Sequence, residues 1–545
     1  MSRIYVAVDL ETTGFSPERD AILEIGAVKF RVPSHPDEEP VIERWQTLVH
    51  PGRPIPHRIS QLTGITQSDL DHAPPLSRVL NEFRAFVGNY PVVGHNVGFE
   101  LAFLQKQNVL VGQAHLDTFE LASLLWPYAP RYTLGELATL IGMPFEGWHR
   151  ALADSEMTMH LFLALWRAAR TLPHGVLDAI VKVVVESRWT LRSFFAAAHR
   201  AEGDGGIPIP MPKPRPEPPT PHHRLEPIAN PLPLPKSEIL SWVEPNSPLT
   251  AVLPRFTARP AQKSMLEAIL RAFSNETHLV VEGGTGAGKS LAYALAAIYE
   301  AQRRNLPVVI STNTLNLQDQ LYYQDLPRLA EALPRPFTVQ RLKGRSNYLC
   351  ARRLMLLQQR GSYSPAEARL VARVLIWREL TTSGDRAELN LQREEEEAWA
   401  QICSDSASCR PDVCSPFGQC HWFRAHDNAQ NAHLVVVNHA LLLNDLAAGG
   451  GLIPESHSVI VDEAHHLEEQ ATQQFGFSVQ QGQFEALFAL LGREEKGKAV
   501  GLLAQIGVEA KASAGRVAQF SKVNERAGVL LRQVGQSRGG DGIRL

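Results

Sequence analysis

The sequence predicts two α/β units joined by a proline-rich spacer, and three observations carry that expectation. In the first 200 residues, IYVAVDL and AILEIGAVKF read as strands from their β-branched, alternating apolar content, and the segments after them repeat apolar residues every three or four positions, as helices do. From Pro208 to Pro235, 12 of 28 residues are proline, a density that neither a helix nor a central strand tolerates. Beyond it, THLVVEGG, LPVVIST, AHLVVVNH and HSVIVDEA are short apolar runs separated by helical segments, the pattern of buried parallel strands.

Composition bounds the rest. A chain of 545 residues holds roughly three or four domains of about 150 residues each. Hydrophobic residues are 44% and charged residues 20%, which excludes a wholly disordered or fibrous chain. Lys plus Arg is 54 against 57 Asp plus Glu, for a net charge of -3, so any polyanion must be met by local basic patches. The start MSRIYVAVDL has no basic leader with an apolar stretch behind it, and no apolar run reaches about 18 residues. The expectation is a cytoplasmic protein of bacterial type without a membrane partner. All five cysteines lie between Cys350 and Cys420; they make no disulfide scaffold, and their clustering points to metal or cluster ligation.

In chain order, the opening strands are followed by the helical segments LSRVLNEFRAFVG, FELASLLW, TLGELATLIG and HRALADSEMTMHLFLALWRAA. The tract over 206–240 reads as a semi-extended spacer rising about 3 Å per residue, with docking of a replication or repair protein as the alternative. In the second unit the acidic run Glu394 to Glu397 reads as a solvated helix face.

Asp9 and Glu11 end the first strand as D-L-E-T-T-G, and their i, i+2 spacing puts both carboxylates on one side of it. His95-Asn96-Val97-Gly98-Phe99-Glu100 follows, and His149 and Asp154 open a helix as HRALAD. Several carboxylates with one histidine suit two-metal hydrolysis of a phosphodiester, with Mg²⁺ or Mn²⁺ clamping the attacking and leaving oxygens. In this order the pieces resemble the DEDD-h exonucleases, including the proofreading epsilon subunit of bacterial polymerase III, over residues 1–175. The resemblance implies an RNase H-like fold, release of nucleoside monophosphates from DNA 3′ ends, Asp9, Glu11 and Asp154 as metal ligands and His149 as general base. Glu100 departs from it, since that family has Asp there; Mg²⁺ demands near-ideal octahedra at about 2.0 to 2.1 Å, and one extra methylene tests the site. An active nuclease, an impaired nucleic-acid binder and structural carboxylates are the three readings. The same carboxylates also serve RNA exonucleases of the oligoribonuclease kind.

Gly283, Gly284, Thr285, Gly286, Ala287, Gly288, Lys289 and Ser290 spell G-x-x-x-x-G-K-S between an apolar run and a helix. The backbone of such a loop cradles phosphates, Lys289 neutralises the β and γ oxygens of ATP and Ser290 holds Mg²⁺. At the end of SVIVDEAHH, Asp462 reaches Mg²⁺ and Glu463 orients and deprotonates the attacking water. With Arg259-Pro260-Ala261-Gln262, STNTLNLQDQL and VVVNHALL, these residues resemble the DinG/XPD-type helicases of superfamily 2. That resemblance makes Arg259 and Gln262 adenine readers and implies ATP-driven movement along single-stranded DNA, 5′ to 3′ in the iron-sulfur members.

Cys350 closes LKGRSNYLC, and Cys403, Cys409, Cys414 and Cys420 come some fifty residues later. Four thiolates suit a [4Fe-4S] cluster; zinc and metal-free cysteines are the alternatives. By the resemblance Cys350, Cys409, Cys414 and Cys420 are the ligands and Cys403 is spare. The expected organisation is an exonuclease at 1–175, a helical extension at 176–205, the linker at 206–240, a RecA-like lobe at 241–340 and 430–475, an iron-sulfur insertion at 341–429 and the start of an arch-like insertion at 476–545. No Q-x-x-G-R-x-x-R element follows Glu463, so relative to that family the chain is expected to be C-terminally truncated and to lack the second lobe.

Overall fold

Strand β1, Ile4–Thr12, lies inside a mixed five-stranded sheet of order β3-β2-β1-β4-β5, antiparallel to β2 (Ile22–Arg31) and parallel to β4 (Val92–Gly94). Strands β3 (Ile42–Leu48) and β5 (His115–Asp117) form its edges. The computed structural model describes residues 4–33, 38, 40–143, 150–185, 187–201, 214, 218, 224–253, 256–284, 286–409, 411–414, 420–476, 493–495 and 498–500. Contacts divide the chain into one unit of Met1–Pro216 with Gly344–Ala425 and another of Glu217–Lys343 with His426–Leu545.

Period-two alternation splits β1 between two cores. Val6, Val8 and Leu10 pack with Val79, Phe83 and Val87 of the Leu76–Val87 helix. Tyr5 and Ala7 face the 20-residue helix Ala151–Arg170, where the Tyr5 and Phe162 rings lie 4.9 Å apart. Asp9 and Glu11 share the parity of Tyr5 and Ala7, so they point to that helix.

The second unit carries a parallel sheet of order β7-β8-β6-β9, with β6 Val308–Thr312, β7 Val339–Arg341, β8 Leu434–Asn438 and β9 Ser458–Val461. Its core draws on the helices Pro260–Asn275 and Lys289–Arg304. The expected strand in THLVVEGG does not form: residues 277–284 have no ladder, and Val280 is 97% exposed. An apolar run supplies propensity, but a strand exists only where a neighbour offers a ladder, and among the described residues the sheet ends at β9.

Two further expectations change. From Glu226 onward the proline-rich tract is held rather than free, with Asn305 Nδ2 donating to the Glu226 carbonyl, Ile228 N to the Arg304 carbonyl, and Leu234 and Ile239 buried in the second unit. In the acidic run, Glu394, Glu396 and Glu397 are exposed but Glu395 is fully buried. Among the described residues no helix is long and apolar enough to cross a membrane.

Candidate active sites

The first site forms where β1 meets the first turn of Ala151–Arg170. Oxygens of Asp9, Glu11 and Asp154 lie within 4.8 Å of one another. Gly26, opposite Asp9 on β2, permits this: a Cβ there would stand 2.1 Å from the Ala151 carbonyl carbon, and the Ser155 hydroxyl donates to the Gly26 carbonyl at 3.0 Å. Glu100, in the first turn of the Gly98–Lys106 helix, is 5% exposed and its Oε2 is buried without a hydrogen-bond partner. It stands outside the 4.8 Å group, yet its charge acts on Asp9 more than that of any other carboxylate.

Burial first and mutual repulsion second push these acids up. Asp9 is raised well above the usual carboxylate range, with Glu100, Asp154, Glu11 and Glu24 adding to burial. Glu11 is pushed up to about 8 by burial, Asp154 and Glu24, against an opposing pull from Arg150. Glu100 also reaches about 8, through burial, with the Asp117 and Glu11 charges adding to it. A set of acids that resist ionising together, with an orphaned buried oxygen among them, is the donor chemistry that divalent cations relieve.

His149 lies outside the described residues. Its neighbour Arg150 is placed by a residue the sequence reading missed. Glu24, paired with Glu11 in the β1–β2 register and fully buried, accepts from Arg150 Nε at 3.0 Å and Nη2 at 2.6 Å, from Ala151 N at 3.0 Å, and from Gln46 Nε2. It thereby caps the helix that carries Asp154, which has no side-chain cap from its own N-cap residue. The sequence offered only an apolar strand with one glutamate inside it. His95 is structural in this arrangement, its ring nitrogens bonded to the Thr118 hydroxyl at 2.9 Å and the Tyr132 carbonyl at 2.8 Å.

In the second unit a cavity of about 330 Å³ is lined by Arg259, Gly286, Gly288, Lys289, Ser290 and Asp325, among others. Gly286 and Gly288 have φ of 77° and 81°, a region glycine enters without penalty. Thr285 lies outside the described residues. Lys289 Nζ donates to the Gly283 carbonyl at 3.2 Å and to Glu463 Oε1 at 3.0 Å, and the bond from Lys289 holds the Glu463 carboxyl below its ordinary range. Gln262 is buried; its amide donates to the Gly288 carbonyl at 2.9 Å, which ties it to the phosphate loop. Tyr293, also missed, donates to Asp462 Oδ2 at 3.1 Å, one of the two expected Mg²⁺ ligands. Gly284 accepts from Ala287 N in the loop's turn.

The cysteines sort themselves. Burial raises the Cys409 thiol, and Cys420, Cys414 and Cys350 act on it in that order, with Arg345 opposing. Cys403 instead answers to burial and to Arg353, Asp405 and Arg386, and its thiol faces the Ala400 carbonyl at 3.7 Å.

Three family models match the chain. The model described as Exonuclease matches residues 6–162, the DEAD/DEAH box helicase model 259–347 and the DEAD_2 model 393–484. The chain is 31% identical over 488 residues to the 3′-5′ exonuclease DinG of Bacillus subtilis (strain 168), covering 87% of this chain and 51% of that one. It is 27% identical over 509 residues to the protein of the same name from Staphylococcus aureus (strain USA300), covering 92% and 54%. The chain thus spans about half the length of these relatives. A solved structure of exonuclease X in complex with 5′ overhanging duplex DNA is similar at 25% identity over 30% of this chain and 90% of that one, with a TM-score of 0.25.

Proposed function

Because the chain is similar to 3′-5′ exonucleases named DinG and matches exonuclease and helicase models, we propose that it is a metal-dependent 3′-5′ exonuclease acting on DNA 3′ ends, fused to an ATP-binding helicase unit, in DNA replication or repair. The observation that carries the nuclease half is the convergence of Asp9, Glu11 and Asp154 on one face of β1. Divalent cations held there supply the charge that clamps attacking and leaving phosphate oxygens. Asp9 and Glu11 present their carboxylates from a central strand and Asp154 from a helix turn, so the ligand set is rigid. Glu100, whose charge acts on Asp9 and whose Oε2 is buried without a partner, serves as the fourth carboxylate in this reading. His149 takes the proton of the attacking water in this reading, one residue before the Glu24–Arg150 pair.

In the second unit Lys289, Ser290, Asp462 and Glu463 converge as a phosphate and Mg²⁺ site for ATP. Cys350, Cys414 and Cys420, whose charges act on the Cys409 thiol, complete with it the ligand set for a [4Fe-4S] cluster, whose role is structural.

The test is release of mononucleotides from 3′-labelled single-stranded DNA with Mg²⁺ or Mn²⁺, beside an RNA oligomer of the same sequence. Loss in Asp9→Ala supports the proposal, and faster release from RNA than from DNA moves the substrate to RNA. Silence rescued by Glu100→Asp reassigns the unit as a nucleic-acid binder, and silence in both rejects the metal site.

A further inference from the structure

The segment that chain order sets inside the ATP-binding unit is built, in space, onto the nuclease. Its helix Pro365–Trp377 packs against Thr118–Leu125 and His174–Val185 of the exonuclease. One apolar core runs through both, joining Leu121, Leu125 and Ile180 to Leu370, Val374 and Trp377.

The polar contacts across this face are buried and specific. Arg373, 1% exposed, pairs with the fully buried Glu395 of its own module at 2.9 Å and donates to the Ser123 carbonyl at 2.7 Å. That carbonyl is in the last turn of Thr118–Leu125, where helical acceptors lack intrahelical partners and a cation is favoured. Arg369 stands 3.5 Å from Glu120, which also accepts from Trp189 Nε1 at 2.8 Å. Tyr128 donates to Glu388 at 2.6 Å, and Glu388 further accepts from Trp377, Thr381 and Ser383.

A buried guanidinium is tolerated only when its partners are complete. Glu395 supplies the charge, but the nuclease supplies the remaining acceptor, so separation would leave Arg373 short of a partner beside an exposed apolar face. Contacts of this kind do not open and close cheaply. We propose that residues 344–425 are a permanent structural partner of the exonuclease, docked on the face made by Thr118–Leu125 and His174–Val185, and that the two unfold as one cooperative unit. The nuclease face so covered has its partner in the same chain.

Hydrogen exchange on the full chain tests this. Leu354→Ala removes side-chain volume on the module's side of that shared core, since Leu354, 1% exposed, lies in the helix Ala351–Gln358. The expected result is that amides of 118–126 and 176–183 lose protection together with those of 365–377, each by tenfold or more, while 293–301 in the second unit keeps its protection. Glu388→Gln, which preserves shape and removes the charge facing Tyr128, gives the same paired loss at smaller size and serves if Leu354→Ala does not fold. Loosening of 365–377 with 118–126 and 176–183 unchanged overturns the proposal, whichever variant produces it.

Discussion

Glu24→Gln separates a residue that positions the Asp9–Glu11–Asp154 site from one that only holds the fold. Glu24 accepts four hydrogen bonds from three residues while fully buried. Glutamine offers one carbonyl oxygen and an amide that itself donates, so it meets part of the Arg150 fork, Ala151 N and Gln46 with donor against donor. Removing one partner of a buried pair costs about 3 to 5 kcal/mol. Arg150 is 42% exposed and rehydrates, which puts the cost near the lower end, about 3 kcal/mol, or roughly 5 °C of melting temperature for a unit of about 300 residues. The catalytic effect is separate. Arg150 follows His149 directly, and Ala151 opens the helix whose first turn carries Asp154, so slackening them should lower turnover about 10- to 100-fold. Metal affinity should move the other way, because the Glu24 charge helps push Asp9 and Glu11 up, and its removal lets them ionise at lower pH. Single-turnover digestion of 3′-labelled DNA at 15 °C, with Mn²⁺ affinity measured by calorimetry at pH 7, reads both effects. Turnover within twofold of the unmodified chain, or full recovery at saturating Mn²⁺, would refute the positioning role.

Other outcomes follow from the same geometry. Gly26→Ala drives a methyl group into the Ala151 backbone and should cost about 1 to 3 kcal/mol, with nuclease activity falling before the fold is lost; equal losses of both would argue against a close-approach role. Glu11 and Glu100, near 8 in the metal-free protein, bind protons in the folded state that the unfolded chain has already released above about pH 4.5. Folded stability without metal should therefore fall as pH rises from about 4.5 to 8, and calorimetry in buffers of different ionisation enthalpy at pH 6.5 should detect proton release on Mn²⁺ binding. Lys289→Ala should weaken ATP binding roughly 10- to 100-fold by loss of charge-assisted bonds. Glu463→Gln, which frees Lys289 from its ion pair, should bind ATP at least as tightly, and a fluorescent ATP analogue distinguishes the two.

What the sequence made legible is what depends on local period and spacing. Asp9 and Glu11 share a strand face because side chains alternate, and Asp154 falls in the first turn of a helix that its own periodicity announces. The glycines of the phosphate loop declare themselves by a pattern only glycine satisfies, with positive φ at Gly286 and Gly288. Glu24 is invisible at that level. Its importance comes from a β-ladder register opposite Glu11 and from a helix laid against Gly26, neither of which is written in spacing along the chain. The same reason explains the 277–284 run, where apolar composition gave the propensity of a strand but a ladder depends on a neighbour.

Glu395 carries that argument furthest. One glutamate in a run of four charged residues is indistinguishable from its neighbours by composition, and three of the four are indeed exposed. It is buried because Arg373 turns inward to meet a carbonyl of the nuclease, so its environment is set by a residue 250 positions removed from the helix end it helps to cap. Buried charge is where a solvated-face reading fails, since burial without a partner is too costly to occur by accident. A mispredicted charge of this kind therefore marks an interface, and here it marks the seat of the cysteine-bearing module on the helix Thr118–Leu125.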